Sequence, residues 1–287
     1  MLSSLAGVLF DGFAYGMLLF LLAVGLSVTL GMMNFVNLAH CSFAAVGGYC
    51  TVTVVNRLGW NFLVALPIAF VVGALIAVVL ERALFRRLYR SSDLDQCLFT
   101  IGIAFMSIAT FAWFYSTEPQ SARIPSYLLG SFELLGRKFA VYRLFLMLMG
   151  LAITALLVLS IERTRFGAQV RAAVDNERMA RGLGINVERT FAVTFALGSG
   201  LAGLGGALAI EIVGLDPNFA FTYLIYVLIV VSTGGLGSVA GSFAAAAVLG
   251  ISDVAGKYYV PQVGAFLIYL VMITLLMWRP QGLLGKR

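Results

Sequence analysis

Apolar runs long enough to cross a bilayer recur along this chain from Val8 to Trp278. One interruption among them, Arg163–Arg189, is of a different kind and reads RTRFGAQVRAAVDNERMARGLGINVER. A helical crossing of the hydrocarbon core needs about 20 apolar residues. Inside that layer every backbone N–H and C=O must be bonded within the protein, so continuous apolar runs have to be helices. A segment carrying six arginines cannot lie there and must face water between two spans. The pattern predicts an all-α fold: a polytopic transmembrane helix bundle of about eight or nine spans, with broken helices and one short water-exposed helix suited to docking. Residues 1–287 are expected to form a single transmembrane domain.

Composition narrows the class. Only 11% of residues are charged, against about 25% in soluble domains, and mean hydropathy is +0.99. The 31 glycines suit membrane helices whose backbones approach closely. The formal charge of +6 does not point to nucleic acid, because the basic residues cluster in short loops. Cys41, Cys50 and Cys97 lack CxxC spacing and read as isolated thiols. No second His or carboxylate stands at ligand spacing from His40, so neither a metal nor a cofactor is expected. There is no GxxxxGK[ST], so ATP hydrolysis would have to come from a separate polypeptide. The first apolar run lacks a basic n-region and a small-residue cleavage site and is expected to be a retained span.

The spans fall at about Val8–Leu30, Phe35–Val55, Phe62–Phe85, Cys97–Tyr115, Tyr142–Ile161, Thr190–Val213 and Val263–Trp278. Thr222–Gly256 is broken by Gly234-Gly235-Leu236-Gly237. It reads as two short spans, giving nine crossings, or as one span with a re-entrant piece, giving eight. Arg82–Arg90, Arg163–Arg189 and Arg279–Arg287 hold thirteen of the 19 basic residues, which assigns them to the cytoplasm. The N-terminus is then outside and, with nine crossings, the C-terminus is cytoplasmic. The loop Thr117–Val141 is either a plain connector or part of a surface for an external partner. Asp11, Glu211, Asp216 and Asp253 gather on the same outer side. They serve interfacial solvation, or form a charged rim that meets a partner or attracts a substrate ammonium.

Within the arginine-rich segment, Asp175 or Asn176 can cap a helix N-terminus. Glu177 follows in the first turn, with Arg178 and Arg181 after it, in agreement with the helix dipole. Gly184 suits the left-handed position that ends a helix. Met179 and Leu183, four apart, share a face. Such a helix of about two turns is not stable alone and needs a partner surface or its flanking spans. In the second span Asn34, Asn37 and His40 follow a spacing of three, which on a helix makes a polar stripe. That stripe either packs against neighbouring carbonyls or lines a translocation path. In the sixth span Gly198, Ala202 and Gly206 form a small-xxx-small face for close packing. Ser42-Phe43-Ala44-Ala45 recurs as Ser242-Phe243-Ala244-Ala245, through a pseudo-repeat of span pairs or through chance in an Ala-rich chain.

Four stretches in this order resemble the permeases of Liv-type ABC importers, the branched-chain amino acid family. They are GMMNFVNLAHCSFAAVGGY (Gly31–Tyr49), the run Arg171–Ile210, GGLGSVAG (Gly234–Gly241) and RPQGLLG (Arg279–Gly285). The first is similar to LivH-like rather than LivM-like subunits, and departs from them in having Cys41 where a glycine is usual. The resemblance implies that Arg171, Asp175, Glu177, Arg178, Met179, Arg181, Gly182, Leu183 and Gly184 belong to a cytoplasmic coupling helix seated in an ATPase cleft. The candidate translocation path comprises the stripe residues Asn34, Asn37 and His40, with Ser232, Thr233 and Ser238 at the glycine break. The resemblance also implies a LivM-like permease paralogue, two ATPase subunits and an external, periplasmic substrate-binding protein as partners, in the lipid of a bacterial inner membrane. The substrates implied are branched-chain amino acids or related small amino acids and amides, and the chain itself is not an enzyme. An ion-gradient-driven secondary transporter is the alternative. It would normally carry acids deep in the membrane, whereas the acids here sit near span ends.

Overall fold

The computed structural model describes residues 2–33, 35–89, 91–134 and 136–285. The chain runs through α1 (Leu2–Met33), α2 (His40–Val52), α3 (Phe62–Ala83) and α4 (Asp93–Tyr115). A hairpin of β1 (Ser131–Leu134) and β2 (Arg137–Ala140) follows, and then α5 (Val141–Arg163). Next come two short helices, α6 (Arg165–Asp175) and α7 (Glu177–Gly182). The last four are α8 (Val187–Val213), α9 (Phe219–Gly234), α10 (Val239–Tyr259) and α11 (Gly264–Trp278). Ser4–Gly31 of α1, together with α3, α4, α5, α8 and α10, is long and apolar enough to cross a membrane; α9 and α11 are shorter apolar helices. This is a multi-pass membrane protein.

Helices α1 and α8 form the centre, largely buried along their length, whereas α3, α4 and α5 expose most of theirs. Small residues explain the density. Gly198 of α8 meets the Gly25 backbone of α1, and Gly206 meets the Ala44 carbonyl of α2. Gly203 of α8 meets Gly47 on that helix. With Ala202 fully buried between them, the small face expected in the sixth span is the contact surface. Without apolar solvent exclusion to drive them together, membrane helices depend on such close van der Waals contact. Two serine pairs add hydrogen bonds across helices. Ser242 Oγ donates to Ser27 Oγ at 2.8 Å, and Ser107 Oγ donates to Ser42 Oγ at 2.8 Å. The serine of each SFAA stretch is therefore the one that finds an interhelical partner.

Contacts sort the loops onto two ends. At one end Arg137 Nη1 donates to Ser4 O at 3.3 Å, Phe10 packs on Phe132 and Phe139, and Gln120 bridges to Leu215. At the other, Gly31 packs on Gly237, Arg86 pairs with Glu188, and Leu283 N donates to Thr233 O at 2.8 Å. The arginine-rich segment, the 84–89 loop and the C-terminal tail share this second end. Thr222–Gly256 falls in two helices, α9 and α10, and Gly235 (φ +96°) and Gly237 (φ +76°) shape the break between them. Ser238 then caps α10 by accepting from Gly241 N at 3.0 Å.

Within Thr117–Val141, residues 131–140 pair as an antiparallel hairpin, Ser131 opposite Ala140 and Leu134 opposite Arg137. One expectation needs correction. The second span does not begin near Phe35, because helix starts only at His40 and residues 35–39 lie outside it. Asn37 and His40 therefore form no helical stripe, and Asn34 lies outside the described residues. One local bond and two distant side chains account for this. Asn37 Oδ1 accepts from Ala39 N at 3.0 Å, an Asx-type bond that competes with helix. The amides of Val36 and Leu38 are taken by Gln96 Oε1 at 3.0 Å and Thr100 Oγ1 at 3.1 Å. Side chains of α4 thus satisfy a backbone that would otherwise be unbonded in an apolar layer.

Candidate functional site

The segment between α5 and α8 is built by capping residues at each joint. Thr164 Oγ1 accepts from Gly167 N at 3.2 Å and starts α6. Gly167 abuts the Ile161 carbonyl, where a side chain would clash, and Arg171 Nη1 donates to that same carbonyl. Helix α6 is thereby folded back against the end of α5. Asn176, in extended backbone, breaks the helix and caps α7 by accepting from Met179 N at 2.9 Å. Of the two expected caps it is Asn176 that serves, and Asp175 is the last residue of α6.

Helix α7 closes with a Schellman arrangement. Gly184 N donates to Arg181 O and Ile185 N to Ala180 O, each at 3.0 Å, with Gly184 at φ +82°. Asn186 then caps α8 by accepting from Arg189 N at 3.0 Å. Ala173, Ala180 and Val187 make a small core with Ile185 and Phe191 packed on it. A six-residue helix too short to stand alone is thus held from one side. Its other side is bare: Met179 is 66% exposed and Leu183 79%. Glu177 and Arg181 pair at 2.7 Å on a different side of α7, where both line the cleft toward the bundle, and nothing lies within 4 Å of a Cβ placed at Gly182. An exposed Met–Leu pair with an open glycine notch makes this side of α7 the candidate docking face.

That face is tied to the bundle. Glu188 pairs with Arg86 of the loop between α3 and α4, and Arg181 lies 3.9 Å from Glu188. In the same loop the Tyr89 hydroxyl donates to the buried Glu81 at 3.1 Å; burial first, and then the Glu81 charge, push that hydroxyl above its ordinary value. A cleft of about 830 Å³ separates α6 and α7 from the bundle, with Gly31, Arg87, Tyr89 and Asn176 on its walls.

The second set of expected residues is dispersed. Thr233 is buried and its hydroxyl donates to Ile229 O at 2.6 Å, while Ser232 Oγ donates to the same carbonyl at 3.1 Å. Both hydroxyls are satisfied by their own helix, and Ser238 is a cap. His40 is buried and its Nε2 lies 3.1 Å from Leu22 O, which joins α2 to α1. His40→Ala should lose this bond and leave a cavity, costing about 2–4 kcal/mol. Thermal unfolding of the solubilised protein would read it, and an unchanged midpoint would remove the packing role.

What the structure brings together is a set of motifs that look separate in the sequence. Gly31 lies on Gly237, and Gly282 and Gly285 of the tail lie on Gly235. Arg171 and Asp175 of α6 share a cavity of about 350 Å³ with Leu236–Ala240 and Leu284. The end of α1, the glycine break, the C-terminal signature and the base of the docking segment form one junction. Gln96 and Thr100, which hold residues 36 and 38, and Glu81 and Arg86, which meet Tyr89 and Glu188, were not singled out by sequence; two polar residues four apart, Gln96 and Thr100, on an apolar helix were the available signal.

Known proteins resemble this chain along its sequence. Residues 8–276 match the family described as branched-chain amino acid transport system / permease component. The chain is 28% identical to "Probable branched-chain amino acid transport permease protein LivH" of Methanocaldococcus jannaschii, over 94% of this chain and 90% of that protein. It is 24% identical to the high-affinity branched-chain amino acid transport system permease protein LivH of Escherichia coli (strain K12), over 97% and 94%. It is 26% identical to LivM of the same system and strain, over 93% of this chain and 68% of that protein. No solved structure matches. The chain therefore belongs to the family of permease components of branched-chain amino acid transport systems.

Proposed function

We propose that this chain is the LivH-like permease subunit of an ATP-driven importer for branched-chain amino acids or related small amino acids and amides. It works in a cytoplasmic membrane with nine crossings, N-terminus outside and C-terminus inside, as one transmembrane domain. Its partners are a LivM-like permease paralogue, two ATPase subunits and an external binding protein, and the path runs between the two permeases. LivH and LivM of Escherichia coli carry the name of one transport system, which supports the pairing.

The observation that carries the reading is the docking face on α7, rigidly capped yet exposing Met179 and Leu183. Seated in an ATPase cleft, α7 moves as a body with α6 and α8. Its ties to Ile161 and Arg86 pass that movement to α5 and to the loop between α3 and α4. The same end holds the non-helical stretch 35–39 and the glycine break at 235–237. Backbone hinges of this kind absorb large dihedral changes at low cost. Asn34, Asn37 and His40, with Ser232, Thr233 and Ser238 at the second break, make up the gate. ATPase activity resides in the partners.

The test is uptake of labelled leucine by proteoliposomes holding the four-subunit complex and the binding protein. Uptake should require ATP and should fall to background when the Walker lysine of the partner ATPase is replaced. Uptake that persists with that lysine replaced, driven instead by an ion gradient, would contradict the importer reading.

A further inference from the structure

At the end of the bundle opposite α7, helices α1, α5, α8, α9 and α10 close around a cavity of about 350 Å³. Its walls carry Asp11 and Tyr15 of α1, Arg143 of α5, Tyr223 of α9, and Asp253 and Lys257 of α10. Asp253 is 1% exposed, so its carboxylate is held away from bulk water. One oxygen, Oδ2, accepts from Lys257 Nζ at 2.6 Å; the other, Oδ1, is buried with no hydrogen-bond partner among the described residues. A buried carboxylate oxygen left unserved is costly, and Asp253 is among the residues lining the cavity, so a donor from outside the chain can serve this carboxylate once the Lys257 side chain moves aside.

The surroundings say which donor. Lys257 Nζ lies 5.6 Å from the centroid of the Tyr15 ring while it holds Asp253 Oδ2. An ammonium is already accommodated where a carboxylate meets an aromatic face, which is how proteins recognise ammonium groups. The Lys257 side chain is half-exposed on a flexible stem, so it can swing aside or share the carboxylate with a second cation. Arg143, paired with Asp11, puts a guanidinium in the same cavity, with donors left over for a ligand carboxylate. The volume is at the small end of ligand pockets, enough for one amino acid and too little for a peptide.

We propose that this cavity is a subsite for the ammonium group of a small zwitterionic amino acid. The ammonium donates to Asp253 Oδ1 beside the Tyr15 and Tyr223 rings, and the carboxylate accepts from Arg143 or Lys257. The assignment deepens the importer reading and rests on it: the permease holds the amino acid briefly after the binding protein releases it, by the groups that every amino acid shares.

Saturation-transfer NMR on the purified complex in nanodiscs, without the binding protein, tests it. Leucine and 3-methylbutylamine should both receive saturation from the protein, and 4-methylpentanoate, which lacks the ammonium, should receive much less. Asp253→Asn should weaken the leucine signal by at least about tenfold, because the amide removes the negative charge that faces the ammonium, and Asp253→Glu should restore part of it. The wild-type comparison of the three ligands stands even where a variant does not assemble. Equal signals from the amine and the acid, or none from leucine, would overturn the subsite and leave Asp253 Oδ1 served by water only. ATP-driven leucine uptake by the same preparation separates the two levels. Uptake without the ligand pattern removes the subsite alone, whereas no ATP-driven uptake of any amino acid removes the importer reading and the subsite's ligand with it.

Discussion

Gly182→Trp should abolish ATP-driven uptake, by more than about thirtyfold, in a permease that still inserts and unfolds at its normal temperature. The separation of the two effects comes from the geometry. A Cβ at Gly182 meets nothing within 4 Å, so a side chain there starts out into open space, where a partner docking on α7 would meet its bulk. Glu177→Arg should act alike. The Glu177–Arg181 pair at 2.7 Å is half-exposed and at i,i+4, so its loss costs the helix only about 0.3–0.5 kcal/mol, while a second arginine beside Arg181 repels it and disturbs its approach to Glu188 of α8. Uptake, stimulated ATP turnover and thermal unfolding measured on the same preparations check this. Normal uptake in both variants would remove α7 from the coupling path.

The reverse outcome is expected at Gly206. A Cβ there runs into the Ala44 backbone carbonyl of α2, and one at Gly47 runs into the Gly203 backbone of α8. Neither obstacle is a side chain that can rotate away, so α2 and α8 would have to separate along their contact. Gly206→Val and Gly47→Val should each cost about 3 kcal/mol, the upper range of overpacking, and lose the compact fold before any effect on docking is measured. Gly102→Val on α4 is the control, because nothing lies within 4 Å of its Cβ. If Gly206→Val unfolds at the same temperature as Gly102→Val, the close packing of α2 on α8 is not what holds the centre together.

Much of this architecture is legible in residue order because a bilayer imposes a simple code. Apolar runs of fixed length had to be helices, and the small face at Gly198, Ala202 and Gly206 had to find a neighbour; both hold. The caps of α7 were legible because Asn176 and Gly184 have strong positional preferences near helix ends. Residues 35–39 were not. Their apolar character fits a span, and what keeps them out of a helix is Gln96 and Thr100, some sixty residues away. No local pattern reports such a partner. Helix α6 was missed for a related reason. Its buried positions, Gly167, Val170 and Ala173, are few and small, and the segment reads as solvated charge until Arg171 is seen reaching back to Ile161. The junction of Gly31, Gly237, Gly282 and Gly285 was visible only as separate glycine motifs, since sequence carries no distance between them.

The central claim, that α7 is the point at which an ATPase grips this permease, is tested most directly by crosslinking within the assembled complex. Met179→Cys and Leu183→Cys should each crosslink to an ATPase subunit through a short bifunctional thiol reagent, with yields that change when ATP is added. Glu133→Cys, on the hairpin at the opposite end, should give no such product. A complex that takes up leucine normally and yields no ATPase crosslink from either position, or yields one from position 133, would contradict the account.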